Sequence, residues 1–159
     1  MDLMESGSSS EFTQPQLYDL FLDKLTSFRD DAWHLVLFEG SPTDNSYSWC
    51  PDCVFALPHV KKFKAAYGGP VEFLQFKVGS REEWENAKSN PFKTSFPYLT
   101  DLPTGILFRG QIDTMRVIAV EQNDLLYLCE RSLEYEKQIQ SGAWSPPEKH
   151  IIMEKVHRN

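Results

Sequence analysis

The chain has 159 residues, a length that suits one domain with a single hydrophobic core. Its formal net charge is −7 and its pI is about 5.1, which argues against the concentrated cationic face that binds nucleic acid and disfavours anionic membranes. No apolar run approaches the roughly 20 residues that span a bilayer. We therefore expect a monomer that has neither a nucleic acid nor a membrane as partner.

The two ends of the chain differ from its middle. Residues 1–13 are acidic and serine-rich, without the apolar stretch of a secretory signal or the arginines of a mitochondrial presequence, so they predict a disordered lead and a cytoplasmic location. Residues 14–139 are predicted to form the folded domain. Residues 140–159 hold a Pro-Pro break and are predicted to be a C-terminal extension, either loose or pinned to the body through Trp144 and the pair Ile151-Ile152.

The middle of the chain alternates between helical and strand patterns. In chain order these patterns predict a helix (15–28), a strand (32–40), a helix from the cysteine pair to about 67, a strand (71–79), a short helix (80–92), two strands (103–110 and 111–120) and a helix (122–140). Ser80 and Glu83 form a capping-box sequence at the start of the short helix. Strands that alternate with helices predict parallel pairing, and the last two strands predict a hairpin that adds an antiparallel edge.

Two cysteines, Cys50 and Cys53, open the second helix in the sequence SWCPDC. Proline is favoured at the first helical position, so Pro51 predicts that Cys50 is an exposed N-cap and that Cys53 lies in the first turn. A disulfide needs Cβ atoms roughly 3.5–4.5 Å apart, closer than the roughly 5–6 Å of a regular helical i, i+3 pair, so Cys50 must lie outside the helix. The helix N-terminus stabilises a thiolate, which makes Cys50 the nucleophile and Cys53 the resolving thiol. The carboxylate of Asp52 disfavours a second negative charge nearby, so we predict a smaller lowering of the Cys50 pKa than an uncharged pair of intervening residues would give.

The cysteine pair has two other interpretations. One CxxC motif is half of a zinc site, and the sequence has no second CxxC motif or closely spaced histidine pair to complete four ligands, so we predict no metal. An inert pair is the other alternative. Thiol–disulfide exchange is favoured over both, because structural disulfides are rare in a reducing compartment and tryptophan and proline flank the first cysteine. Cys129 lies on an apolar helical face and is interpreted as a small buried hydrophobic residue.

The sequence WCPDC, after a strand and at the start of a helix, resembles the active site of thioredoxins. Pro58, five residues after Cys53, matches their helix-kinking proline, and LPTGILF resembles the segment that carries their cis-proline, here Pro103. The Pro-Asp pair between the cysteines and the long loop EGSPTDNSYS resemble the thioredoxin domain-containing protein 17 family. The likeness extends from Leu17 to Ser132 and implies an α/β thioredoxin fold, with a central mixed sheet of four to five strands flanked by helices.

This resemblance implies a protein-disulfide reductase that receives electrons from NADPH through thioredoxin reductase and acts on disulfide-bearing proteins or small disulfides. It implies no bound cofactor beyond a redox-active disulfide between Cys50 and Cys53, the first attacking and the second resolving. Further residues are expected to bind substrate or to modulate the cysteines: Trp49, Pro51, Asp52, Leu102 and Pro103. The alternatives are a non-catalytic binding module and a redox sensor, either of which would dock partners at the Pro103 edge.

Two positions near the cysteines need a separate interpretation: the buried acid of thioredoxins and the tryptophan before the first cysteine. Thioredoxins have a buried acid on the strand before the cysteines, and the position that aligns with it is Leu37, so the proton relay is expected to be absent unless Glu39 or Asp44 replaces it. Trp49 precedes the nucleophile, where its indole either forms part of a docking surface or packs over the loop. The docking role is favoured.

Overall fold

The structure is a computed structural model that describes residues 12–118 and 121–145, together with the backbone of residues 154–156. The predicted lead, residues 1–13, lies outside the described residues except at its last two positions. Most of the predicted extension, including Ile151 and Ile152, also lies outside them. No helix in the described parts of the chain combines the length and the apolar character that crossing a membrane requires.

The described helices and strands follow the predicted order up to the last helix, after which the predicted extension adds a short strand that the sequence patterns do not predict. The helices are α1 (Gln14–Thr26), α2 (Pro51–Ala66), α3 (Arg81–Glu85), α4 (Pro91–Ser95) and α5 (Gln122–Ser141). The strands are β1 (Trp33–Glu39), β2 (Glu72–Lys77), β3 (Thr104–Arg109), β4 (Ile112–Ile118) and β5 (Glu154–Val156). The single short helix predicted over 80–92 was wrong, because Asn86 ends α3 and Asn90 starts α4 by accepting a hydrogen bond from the Lys93 backbone N–H at 3.2 Å.

The strands form one five-stranded sheet in the order β2-β1-β3-β4-β5. β1 is parallel to β2 and antiparallel to β3, β3 is antiparallel to β4, and β4 is parallel to β5. The thioredoxin fold with a mixed sheet is confirmed, as is the hairpin of β3 and β4. The hairpin joins the sheet in antiparallel pairing with β1, but the prediction that it forms the edge was wrong, because β5 pairs in parallel with β4 and lies beyond it.

Both faces of β1 are buried, which explains why its sequence is a continuous apolar run. Val36 and Phe38 belong to a largely aromatic cluster that includes Phe21 of α1 and Phe92 of α4. The alternate residues of β1 belong instead to an aliphatic cluster formed with α2 and α5. Because side chains alternate along a strand, Glu39 at the end of β1 follows Leu37 on the α2 side of the sheet.

At the start of β1, α5 is fastened to the sheet by polar and aromatic contacts. Glu136 accepts hydrogen bonds from Trp33 Nε1 at 2.7 Å and from Arg109 Nε at 3.1 Å. Tyr135 stacks between the rings of Trp33 and Trp144, with centroids 6.4 and 5.4 Å away. Trp144 therefore attaches the beginning of the predicted extension to the body of the domain.

Candidate active site at the start of α2

Cys50 occupies the N-cap of α2, as its proline neighbour predicts. Its φ of −87° and ψ of 112° are extended rather than helical, and Pro51 takes the first helical position. The Cys50 sulfur accepts a hydrogen bond from the backbone N–H of Cys53 at 3.2 Å. The Cys50 backbone N–H in turn donates to Ser48 Oγ at 3.1 Å. The helix start thus directs an N–H donor at the sulfur of the first cysteine.

The two thiols are free and buried, with exposed fractions of 5% for Cys50 and 3% for Cys53. The prediction that Cys50 is exposed was wrong, because it packs within the aromatic cluster together with Leu102. The Cys50 sulfur lies 3.5 Å from the carbonyl oxygen of Leu102, to which its thiol form donates. The peptide bond between Leu102 and Pro103 is cis. The structure thus brings the predicted Leu102-Pro103 segment against the cysteine pair.

The two cysteines have opposite pKa shifts. The pKa of Cys50 is lowered, first by a hydrogen bond from the Cys53 thiol and further by the Cys53 backbone N–H, while burial opposes the change. The charge of Asp52 also acts to raise the Cys50 pKa, in the direction expected from the sequence. The pKa of Cys53 is strongly raised, first by its hydrogen bond to Cys50 and then by burial. The arrangement favours a thiolate at Cys50 and retains the proton on Cys53.

A buried acid lies beside Cys53, although not at the position aligned with thioredoxins. Leu37 is fully buried in the aliphatic cluster. Glu39, two residues later, is 3% exposed, and its Oε1 accepts hydrogen bonds from Gln75 Nε2 at 2.9 Å and Lys77 Nζ at 3.3 Å. Its charge acts to raise the pKa of Cys53. The sequence indicated this acid only by its place at the end of a buried strand.

Glu39 and Cys53 line the same cavity, whose volume is about 90 Å³. The walls are formed by the loop before α2 and by the first turns of that helix. Lys77 also borders the cavity, while Tyr47 and Val54 contribute apolar surface. A cavity of this size has room for water, and both the Glu39 carboxylate and the Cys53 thiol are among its lining residues.

The family model for the thioredoxin domain of thioredoxin domain-containing protein 17-like proteins matches residues 16–129. The chain belongs to this family. The match includes both cysteines and the cis-proline segment, so the family predicted from WCPDC is confirmed. It lies within the predicted domain of residues 14–139, whose outer boundaries stay predictions.

Two curated relatives and one solved structure illustrate the similarity. Thioredoxin domain-containing protein 17 of Danio rerio is 36% identical over 81 residues, which cover 51% of this chain and 64% of that protein. The aligned part therefore spans less than two thirds of that relative. Thioredoxin-like protein Clot of Arabidopsis thaliana is 28% identical over 111 residues, or 69% of this chain and 81% of its own. Mitochondrial thioredoxin 3 of Saccharomyces cerevisiae, in its oxidised form, aligns with a TM-score of 0.44 at 18% identity, over 74% of this chain and 89% of that one.

In this member of the thioredoxin domain-containing protein 17-like family, the Trp49 side chain packs against the cluster that contains Cys50 and is held by a hydrogen bond. Its Nε1 donates a hydrogen bond to the carbonyl oxygen of Gly79 at 2.9 Å, and its side chain is half-buried. Gly40 lies so close that an added Cβ would be 2.8 Å from the indole ring. Glycine at this position therefore allows the indole to lie on the backbone. The docking role of Trp49 stays a prediction.

The long loop before the cysteines is an ordered hairpin rather than an irregular connection. Pro42 and Ser48 form an antiparallel bridge, and the Thr43 backbone N–H donates to the Tyr47 carbonyl oxygen at 2.7 Å. Asn45 Oδ1 accepts a hydrogen bond from the Tyr47 backbone N–H at 3.1 Å. These contacts leave the Tyr47 side chain 56% exposed near the mouth of the cavity. The turn residues of the sequence indicated a loop but not this internal bonding.

The remaining candidate ligands do not assemble into a metal site in the part of the chain that the structure describes, where no group of three or more His, Cys, Asp or Glu side chains could hold an ion. Cys129 is 3% exposed in the aliphatic cluster, and burial raises its pKa to about 11. It is therefore a buried, neutral thiol, as its apolar helical face predicts. Asp44 is exposed in the hairpin.

Proposed function

We propose that this protein is a protein-disulfide reductase that works by dithiol–disulfide exchange through Cys50 and Cys53. The observation that carries the proposal is the N-cap position of Cys50, where its sulfur accepts hydrogen bonds from the residue that will resolve it. Membership of the thioredoxin domain-containing protein 17-like family supports the same chemistry. The opposite pKa shifts of the two cysteines support Cys50 as the attacking thiol and Cys53 as the resolving thiol.

In the first step, the Cys50 thiolate attacks one sulfur of a substrate disulfide. A new bond forms between Cys50 and that sulfur, the substrate S–S bond breaks, and the other substrate sulfur leaves as a thiolate that takes a proton from water. This step removes the negative charge of Cys50, which acts to raise the pKa of Cys53. The resolving thiol consequently becomes easier to deprotonate once the mixed disulfide has formed.

In the second step, the Cys53 thiol loses its proton and the resulting thiolate attacks Cys50. The bond between Cys50 and the substrate breaks, the second substrate sulfur leaves as a thiolate and is protonated by water, and a Cys50–Cys53 disulfide remains. We assign the proton acceptor to the Glu39 carboxylate, through water in the shared cavity. The structure thereby offers a substitute for the acid missing at Leu37.

The cycle needs two electrons for each disulfide reduced, because the Cys50–Cys53 disulfide must return to two thiols. We propose NADPH as their source, through thioredoxin reductase, and the cytoplasm as the compartment. The protein would then need no bound cofactor beyond its own redox-active disulfide. Protein disulfides and small disulfides are both substrates of this proposed activity.

The test is turnover of a neutral small disulfide, bis(2-hydroxyethyl) disulfide, by the full chain with NADPH and thioredoxin reductase. We expect Cys50→Ser to abolish turnover and Cys53→Ser to stop after one mixed disulfide, visible by mass spectrometry. Cys129→Ser is the matched control and should retain turnover, since that thiol is buried away from the pair. Undiminished turnover in Cys50→Ser would overturn the proposal, and partner binding that ignores both cysteines would favour the docking module.

A further inference from the structure

Exposed apolar side chains are concentrated next to the redox pair. Five large hydrophobic side chains are exposed among the described residues, and three of them are Tyr47 at 56%, Val54 at 36% and Phe55 at 63%. Tyr47 and Val54 line the same cavity as Cys53, so the hairpin and the first turns of α2 place exposed apolar side chains beside the redox pair. Exposed apolar side chains that gather at one place mark a candidate contact site.

The same surface carries exposed acidic side chains. Asp52 lies in the first turn of α2 and is exposed, and its charge reaches the Cys50 sulfur strongly enough to act on its pKa. Asp101 is exposed and immediately precedes Leu102, whose carbonyl oxygen lies 3.5 Å from that sulfur. Along α2 the first cation is Lys61, about 16 Å from Cys50 at the rise of an α-helix.

Two cations lie nearby, each beside an acid: Lys77 is 3.3 Å from Glu39 at the cavity, and Arg116 interacts with Asp101. The exposed carboxylate of Asp52 adds a further negative charge next to the nucleophile.

We propose that this surface docks protein partners whose disulfide lies in an exposed basic segment, with lysine or arginine close to the attacked cysteine. The proposal rests on the proposed reductase function and names the substrate class of that site. The partner's cation meets Asp52 and Asp101, while an apolar neighbour of its cysteine covers Phe55. A second copy of this chain is disfavoured as occupant, because two acidic surfaces on molecules of net charge −7 repel each other.

Binding of a basic segment also acts on the chemistry. The carboxylate of Asp52 opposes ionisation of Cys50, and a partner cation next to that carboxylate cancels part of its effect. A basic substrate thus favours the thiolate that attacks it, whereas an acidic substrate disfavours the same thiolate. A basic substrate is therefore favoured over an acidic one both in the rate of encounter and in the rate of attack.

The experiment measures the second-order rate constant for oxidation of the reduced full chain by two peptides that share length, disulfide and one apolar neighbour. One peptide carries lysines beside the cysteines and the other carries glutamates. We expect the lysine peptide to react about tenfold faster at low salt, and the ratio to fall toward one in about 500 mM salt, where screening removes the attraction. The ratio should also fall in the double variant of Asp52→Asn and Asp101→Asn.

Matched controls separate the possible outcomes. Glu134→Gln, an exposed acid on α5 near the other end of the sheet, should leave the peptide ratio unchanged. Phe55→Ser should slow both peptides while sparing bis(2-hydroxyethyl) disulfide. Equal rates for the two peptides, with the neutral disulfide still reduced, overturn this proposal and leave the reductase function standing; failure to reduce any disulfide removes the function itself. Dimerisation of the reduced full chain that Phe55→Ser abolishes, seen by sedimentation, would also overturn the assignment to a basic partner.

Discussion

The two ends of β1 hold buried or half-buried polar groups arranged for different purposes. At the start of the strand, Glu136 is bonded by Trp33, Arg109 and Gln140, and these hydrogen bonds lower its pKa to about 2. At the other end, Glu39 borders a cavity that it shares with the thiol of Cys53. Both carboxylates are hydrogen-bonded by neighbours, but Glu136 joins α5 to the sheet, whereas Glu39 also borders a cavity beside a titratable thiol.

The largest effect is expected at the cavity end of β1, when the thiol of Cys53 is removed. Cys53→Ala removes the hydrogen bond that contributes most to the lowered Cys50 pKa, so that pKa should rise and the rate of alkylation at neutral pH should fall. Catalytic turnover should be lost, while the free energy of unfolding changes by less than about 2 kcal/mol. The measurements are the pH profile of iodoacetamide labelling and urea unfolding. An unchanged profile would contradict the assigned cause of the Cys50 shift.

The next largest effect is expected from a change at the buried acid, Glu39. Glu39→Gln keeps the shape and a hydrogen-bonding side chain but cannot accept the proton from Cys53, so we expect resolution of the mixed disulfide to slow about 100-fold. Rapid-quench measurement of product release, with bis(2-hydroxyethyl) disulfide as substrate, separates this step from the first attack. Asp44→Asn, at the other acid considered from the sequence, is the matched control and should resolve at the normal rate. Equal rates in both variants would mean that water alone accepts the proton.

At the cysteine pair, the sequence predicts the local backbone better than the tertiary surroundings. Proline after Cys50 is enough to predict the N-cap, since its ring fits the first helical position. The burial of Cys50 could not be predicted, because it depends on Leu102, a residue 52 positions away that the fold brings against the sulfur. The sequence offers two acids, and burial, the contacts with Gln75 and Lys77 and a place in the cavity beside Cys53 distinguish Glu39 from the exposed Asp44.

In the fold as well, features set by local sequence could be predicted and features set by long-range packing could not. Buried strands and amphipathic helices appear directly in the hydrophobic spacing, so β1, β2 and α5 could be placed within a few residues. The position of β3 beside β1 could not, because strand order depends on long-range packing rather than on local pattern. The break between α3 and α4 was also missed, although Asn90 followed by Pro91 is a helix-start signal that the sequence contains.

A smaller effect is expected at the opposite end, where Glu136→Gln should lower the free energy of unfolding by about 1 kcal/mol at neutral pH. The folded pKa of about 2 lies below the ordinary value of 4.5, so the carboxylate stabilises the fold above about pH 4.5 and loses this contribution as pH falls toward 2. The difference between the two proteins in urea unfolding should therefore shrink on acidification. Glu134→Gln on the same helix is the control, and turnover should be normal in both variants.

The smallest expected effect lies in the hairpin beside the active site, at Ser46. Its φ of 72° is in the left-handed region, where a side chain is strained and glycine is not. Ser46→Gly relieves that strain but gains freedom in the unfolded chain, so we expect a net stabilisation of only about 0.5 kcal/mol, measured by thermal unfolding. Ser27→Gly is the matched control, because its φ of −84° is relaxed and its hydroxyl donates to Lys24, so that change should destabilise. If Ser46→Gly destabilised the protein as much as the control, the positive φ would carry no strain, and the hairpin would owe its shape to its hydrogen bonds and the bridge between Pro42 and Ser48.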